Sequence, residues 1–165
     1  MAASTVIKHL FDGTITIEDG TTPTAVSLTV PFTQGDFGAS GLGSTLREIA
    51  KYETRGTFHS ARYTARRYPS GSFTAMLADL SDGTDGTLVD FALNQASYSA
   101  NVSTLGASAE VYAVKLTLTI EGTDHGDSAD HTIELDDCTL VVDVAEGEPN
   151  LITVNYECLG GVTMT

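Results

Sequence analysis

The chain has no tryptophan, two cysteines and only eight lysines and arginines among its 165 residues. Each shortage excludes something. Two cysteines are too few for a disulfide framework, so the fold has to rest on an apolar core. Without tryptophan, and with tyrosines scattered singly, the aromatic platform of a carbohydrate-binding or decoration module has little support. No apolar run reaches the ~18 residues of a membrane-crossing helix. The opening MAASTVIKHL lacks an apolar core of signal-peptide length, so export by that route is not expected. The shortage of cations leaves 22 acidic residues unbalanced, for a net charge of −14. A surface this acidic is unsuited to gripping nucleic acid, because that affinity comes from neutralising phosphates.

Catalytic and cofactor signatures are also missing. Residues 33–45 (TQGDFGASGLGST) carry glycines at 35, 38, 41 and 43, but no lysine follows to reach a phosphate. This stretch is expected to be a flexible loop. No G-x-S-x-G, H-E-x-x-H or C-x-x-C occurs. Asp124, His125, Asp127, Asp130 and His131 crowd together. Carboxylates at that density can hold calcium, and His with Asp can hold zinc. The calcium-loop spacing is absent, so an acidic hairpin loop is the expectation. No catalytic residue, cofactor or metal is expected, and the protein is not expected to be an enzyme.

What is present is β pattern. The stretch DHTIELDDCTLVVDVAEGEPNLITVNYECLGG (130–161) holds two alternating apolar runs around a turn at Gly147, Pro149 and Asn150. Cys138, Leu140, Val142 and Val144 share one face; Ile152, Val154, Tyr156 and Cys158 share another. Setting Val144 opposite Ile152 brings Cys138 opposite Cys158. The two cysteines are expected to be small buried apolar residues, left as thiols in a reducing cytoplasm. Ile133 and Leu135 have the other parity, which places a bulge at Asp136–Asp137. A second bulge is expected between Ala113 and Leu116 in the alternating run 110–121.

Earlier in the chain, 13–18 and 25–32 form a hairpin. Residues 46–53 (LREIAKYE) suit a short helix capped by Ser44 and suit a strand equally. Residues 57–67 are expected to be a strand that turns at Tyr68–Gly71 and returns along 72–80. Leu88–Ala96 is the helix candidate, with Thr87 or Asp85 as its cap. His59 is expected to pack or hydrogen-bond.

The cations are concentrated. Arg47, Lys51, Arg55, Arg62, Arg66 and Arg67 are six of the eight. With Glu48 and Glu53 the segment sums to +6 − 2 = +4, so the remainder carries −14 − 4 = −18. A basic strip on an acidic body suits contacts between copies. These six are the expected subunit-interface residues. The fold class that follows is mainly β: a single domain over residues 1–165, an antiparallel sandwich or partly closed barrel of about seven strands, with one short flanking helix. Residues 1–12 form an N-terminal arm.

The order of these motifs resembles the tail tube (major tail) proteins of long, flexible-tailed bacteriophages. The resemblance spans roughly residues 10–161, from KYETRGTFHSARYTARRYPSGSFTAML through GTLVDFAL and VKLTLTIEGT to the C-terminal hairpin. It implies a structural subunit of the virion, assembled in the bacterial host cytoplasm, whose hexameric rings stack into a tube. Its partners would be other copies of itself, a tape measure protein, and tail-tip and terminator proteins. DNA would pass through the lumen without specific binding, and no membrane or cofactor would be involved. A tube subunit of a contractile tail or of a type VI secretion-like system is a close alternative, and a virion binding or decoration module a more distant one.

Overall fold

The structure, a computed structural model, describes residues 13–30, 37–42, 47–77, 80–122, 129–147 and 150–165. The C-terminal hairpin forms in the register its parity demands. β8 (His131–Ala145) pairs antiparallel with β9 (Leu151–Cys158), Val144 against Ile152 and Cys138 against Cys158. β8 is long because it serves two neighbourhoods. Its first half pairs with β7 (Val114–Ile120) on one side and β10 (Val162–Met164) on the other; its second half pairs with β9.

The bulge falls where the apolar parity flips. Val114 faces Cys138 and Leu116 faces Leu135, so Asp136 and Asp137 together oppose Lys115. Asp137 takes a positive φ of 54° there. The two bulges expected from sequence are thus one irregularity, with the extra residue on β8. The strand expected over 110–121 begins only at Val114, and Val111 is exposed. Val144 is exposed as well. β7 stops opposite Cys138, so among the described residues β8 beyond it pairs on one edge only.

β1 (Thr14–Glu18) and β2 (Ser27–Val30) form the N-terminal hairpin, and β1 joins β7. On the far side β9 pairs with β6 (Ser70–Met76), and β6 with β3 (Gly38–Ser40). The order β2-β1-β7-β8-β9-β6-β3 is one antiparallel sheet that folds over itself about β8, without closing into a barrel. Its halves share one core. Ile15, Ile17, Leu116 and Leu118 from one half meet Phe73, Ile152, Val154 and Tyr156 from the other. The described residues form ten strands where about seven were expected, partly because 38–40 lies within the stretch read as a flexible loop. Gly71 explains that pairing: a Cβ there would meet the Gly38 carbonyl oxygen at 1.8 Å, so only glycine lets β3 approach β6. The N-terminal arm and residues 33–36 and 43–45 lie outside the described residues.

The helix α1 (Leu88–Leu93) packs against β2 and β8 and buries Leu88 and Phe91. Thr87 caps it, accepting from the Asp90 N–H. It ends at Asn94, which adopts the left-handed conformation with φ 52°, so it is shorter than the run to Ala96 suggested. Asp90 is fully buried in its first turn and binds three parts of the chain. Asp82 N donates to it at 3.0 Å, the Thr87 hydroxyl lies 2.9 Å away and Gln95 Nε2 donates at 3.2 Å. Burial alone would raise this carboxyl. The Asp82 N–H, with the Ser81, Thr87 and Gln95 side chains, outweighs it and holds the pKa at about 2.

Candidate assembly interface

β4 (Arg47–Thr54) and β5 (Thr57–Arg66) stand apart from this body. They pair with each other and, among the described residues, with no other strand. Arg55 and Gly56 close them with φ values of 50° and 78°, the double positive φ of a two-residue hairpin turn that matches strand twist. A Cβ on Gly56 would meet nothing within 4 Å, so the tip is in open space. Of the segment 46–53, compatible with either a helix or a strand, the described residues 47–53 are therefore strand.

The expected pairing of 57–67 with 72–80 does not form. β6 carries Phe73 and Ala75 at core spacing and pairs with β9 and β3. β5 has no matching apolar alternation, and the tight Arg55–Gly56 turn favours its local partner. Tyr68 and Pro69 are where the chain leaves the ribbon for the body. Arg66 fastens that root: its Nη2 donates to Leu159 O at 2.8 Å and Gly160 O at 3.2 Å. Its guanidinium also lies 5.2 Å from the centre of the Tyr68 ring.

The register sorts the ribbon's faces. Ile49 faces Tyr63 and Glu53 faces Phe58. Ile49, Lys51 and Glu53 alternate onto one side of β4, so Ile49, Phe58 and Tyr63 share a face. They are 52%, 62% and 60% exposed. His59 is the extra residue at a bulge, between Ser60 opposite Tyr52 and Phe58 opposite Glu53, and is exposed. All six expected interface cations lie on the ribbon or just past it. Arg47, Lys51, Arg55, Arg62 and Arg67 are exposed and, among the described residues, none of the six makes an ion pair. A two-stranded hairpin is marginal in water by itself. One that projects an apolar face, with cations that make no ion pair among the described residues, is a candidate contact surface. Burying three such side chains contributes about 1.5–3 kcal/mol apiece, and association costs roughly 4–15 kcal/mol. A single apolar contact is therefore weak, and charge or repetition has to add to it.

Elsewhere the polar groups are structural. Asp19 is buried and accepts from Val26 N at 2.6 Å, Val102 N at 3.1 Å and the Thr21 hydroxyl, closing the first hairpin onto a distant loop. Cys138 and Cys158 are buried free thiols; Cys158 and burial together push the Cys138 thiol up. Asp124, His125 and Asp127 lie outside the described residues. Asp130 accepts from Gly122 N at 3.1 Å, and His131 Nδ1 lies 3.2 Å from Thr165 O.

The chain matches no protein-family model and no curated protein. Solved structures do match it. A chain from the sheath/tube terminator of an extracellular contractile injection system, PVC, in its extended state, aligns over 99% of both chains with a TM-score of 0.58 at 10% identity. The fold is one found in contractile injection particles. A chain of the PVC sheath-tube complex aligns over 99% of both chains with a TM-score of 0.59 at 9% identity. The tube-terminating cap of the anti-feeding prophage gives 0.57 at 11%, covering 100% of this chain and 95% of that one. At such identities the likeness is one of fold.

Proposed function

We propose that this protein is a structural subunit of the tube of a contractile tail or contractile injection particle, assembling as stacked hexameric rings. The observation that carries this reading is the unpartnered β4–β5 ribbon on a body whose fold matches components of such particles along the whole chain. The likeness to contractile particles favours this over the tube of a long, flexible-tailed phage, which remains the second reading and rests on motif order. The −18 outside the ribbon segment fits a conduit wall that lets a polyanion such as DNA slide. The ribbon's cations then serve subunit contacts. A tape measure protein and terminator proteins would be its further partners.

Electron microscopy of the purified protein at raised concentration, with light scattering on the same sample, tests this. Rings or hollow tubes are expected. A chain that stays monomeric at every concentration and salt level would overturn self-assembly and favour a decoration module.

A further inference from the structure

Among the described residues the sheet does not close between its β2 and β6 sides, and the gap is a cleft of about 420 Å³. Its floor is apolar, formed by Leu28 and Val30 of β2, Ala75 and Met76 of β6, Ile152 of β9 and Leu88 of α1. Its rim is the loop 80–87, which brings Asp82 and Asp85 to the opening. Met76 is 53% exposed, and Leu80 in the same loop is exposed too. The cleft falls in the size range of sites that enclose a bound group.

The ribbon is its chemical complement. Its apolar face carries Lys51 and Arg47 alongside Glu53, in a segment of net charge +4, and the cleft offers an apolar floor under carboxylates. The ribbon segment is the chain's main concentration of cations. Besides the six of the ribbon segment only Lys8 and Lys115 exist, and Lys115 is paired with Glu134 at 3.2 Å. The two features also lie at opposite ends of one strand. The ribbon root is fastened beside Ser70, whose neighbour Glu157 leads into Cys158, Leu159 and Gly160. The cleft opens at Met76, six residues or about 20 Å along β6.

We infer that the cleft between β2, β6 and the start of α1 receives the β4–β5 ribbon of a second copy of this chain. The inference rests on the assembling-subunit reading and gives that subunit its contact. Two different patches meet, so each copy retains a free ribbon and a free cleft. Such head-to-tail contacts propagate into rings or helical filaments.

Two variants test it. Phe58→Ser with Tyr63→Ser strips the ribbon, and Met76→Lys with Asp85→Lys makes the cleft repel cations. All four positions are exposed, so folding should survive, and circular dichroism checks this. Each variant alone should be a folded monomer, with the onset of assembly raised on the order of 100-fold in concentration. Mixed, they should form a one-to-one heterodimer in gel filtration with light scattering, because one good ribbon meets one good cleft. If either double variant unfolds, Phe58→Ser and Asp85→Lys singly replace them with the same expected heterodimer. Variants that assemble like the wild type would overturn the contact and leave the tube reading standing. Two monomeric variants that ignore each other would assign the cleft to a different polypeptide and overturn the contact too. A wild-type chain that never assembles would overturn both.

Discussion

Replacing residues 48–65 by a two-residue Asn-Gly turn should leave a folded monomer that no longer forms particles at any concentration. Arg47 and Arg66 are paired across the ribbon, with Cα atoms about 5 Å apart, so a tight turn can bridge them. Arg66 keeps its bonds to Leu159 and Gly160, so the root stays fastened. The core cluster draws nothing from β4 or β5. The melting temperature should therefore move by only a few degrees while assembly disappears. A shortened chain that still builds rings or tubes would remove the ribbon from the account. Its cations add a second signature: assembly of the intact chain should weaken as salt rises, since exposed charge contacts are screened over about 8 Å at physiological ionic strength.

The largest stability effect should come from Asp90. Asp90→Ala removes the acceptor shared by Asp82 N, Thr87 and Gln95 and leaves buried donors unpaired. The expected cost is about 3 kcal/mol, or roughly a 10 °C fall in melting temperature for a domain of this size. The carboxyl also makes stability depend on pH. Its folded pKa of about 2 lies below its ordinary 3.8, so its contribution is complete above about pH 4 and is lost as pH falls towards 2. That contribution is about 2 kcal/mol. Asp90→Asn should flatten the melting profile between pH 4 and 2. A smaller slope should remain, because Asp19 is also held below the usual carboxylate range: its hydrogen bonds to Thr21, Val102 and Val26 outweigh burial. Profiles that coincide for wild type and Asp90→Asn would show that Asp90 does not set this dependence.

The body of the fold was legible wherever period-two apolar patterning was strong. The Cys138–Cys158 pairing followed from parity, and the Asp136–Asp137 bulge from the flip in that parity. The β4–β5 ribbon was not legible as a hairpin. Its turn is Arg-Gly instead of the usual Asn-Gly, and its register shifts twice, which blurs the alternation on β5. The basic strip stood out in the sequence, but charge alone does not separate a solvated strand from one awaiting a partner. The exposed Ile49, Phe58 and Tyr63 are what the proposed contact rests on, and their common face exists only once the register is known. Asp90 was passed over in LVDFAL, although Thr-x-x-Asp before an apolar run is close to a helix-start signature. Its burial depends on Asp82 and Gln95, which no local pattern brings to it. The cleft was invisible for a related reason, since β2 and β6 are distant in sequence and approach only when the sheet folds.

Amide hydrogen exchange over residues 47–66, compared between the dispersed chain and its assembled form, tests the central claim most directly. A ribbon covered by a neighbouring copy should exchange much more slowly on assembly, with the change concentrated in β4 and β5 and echoed at Met76 and the 80–87 loop. Equal exchange across 47–66 in both states would mean that the particle forms without the ribbon, and the account would be wrong.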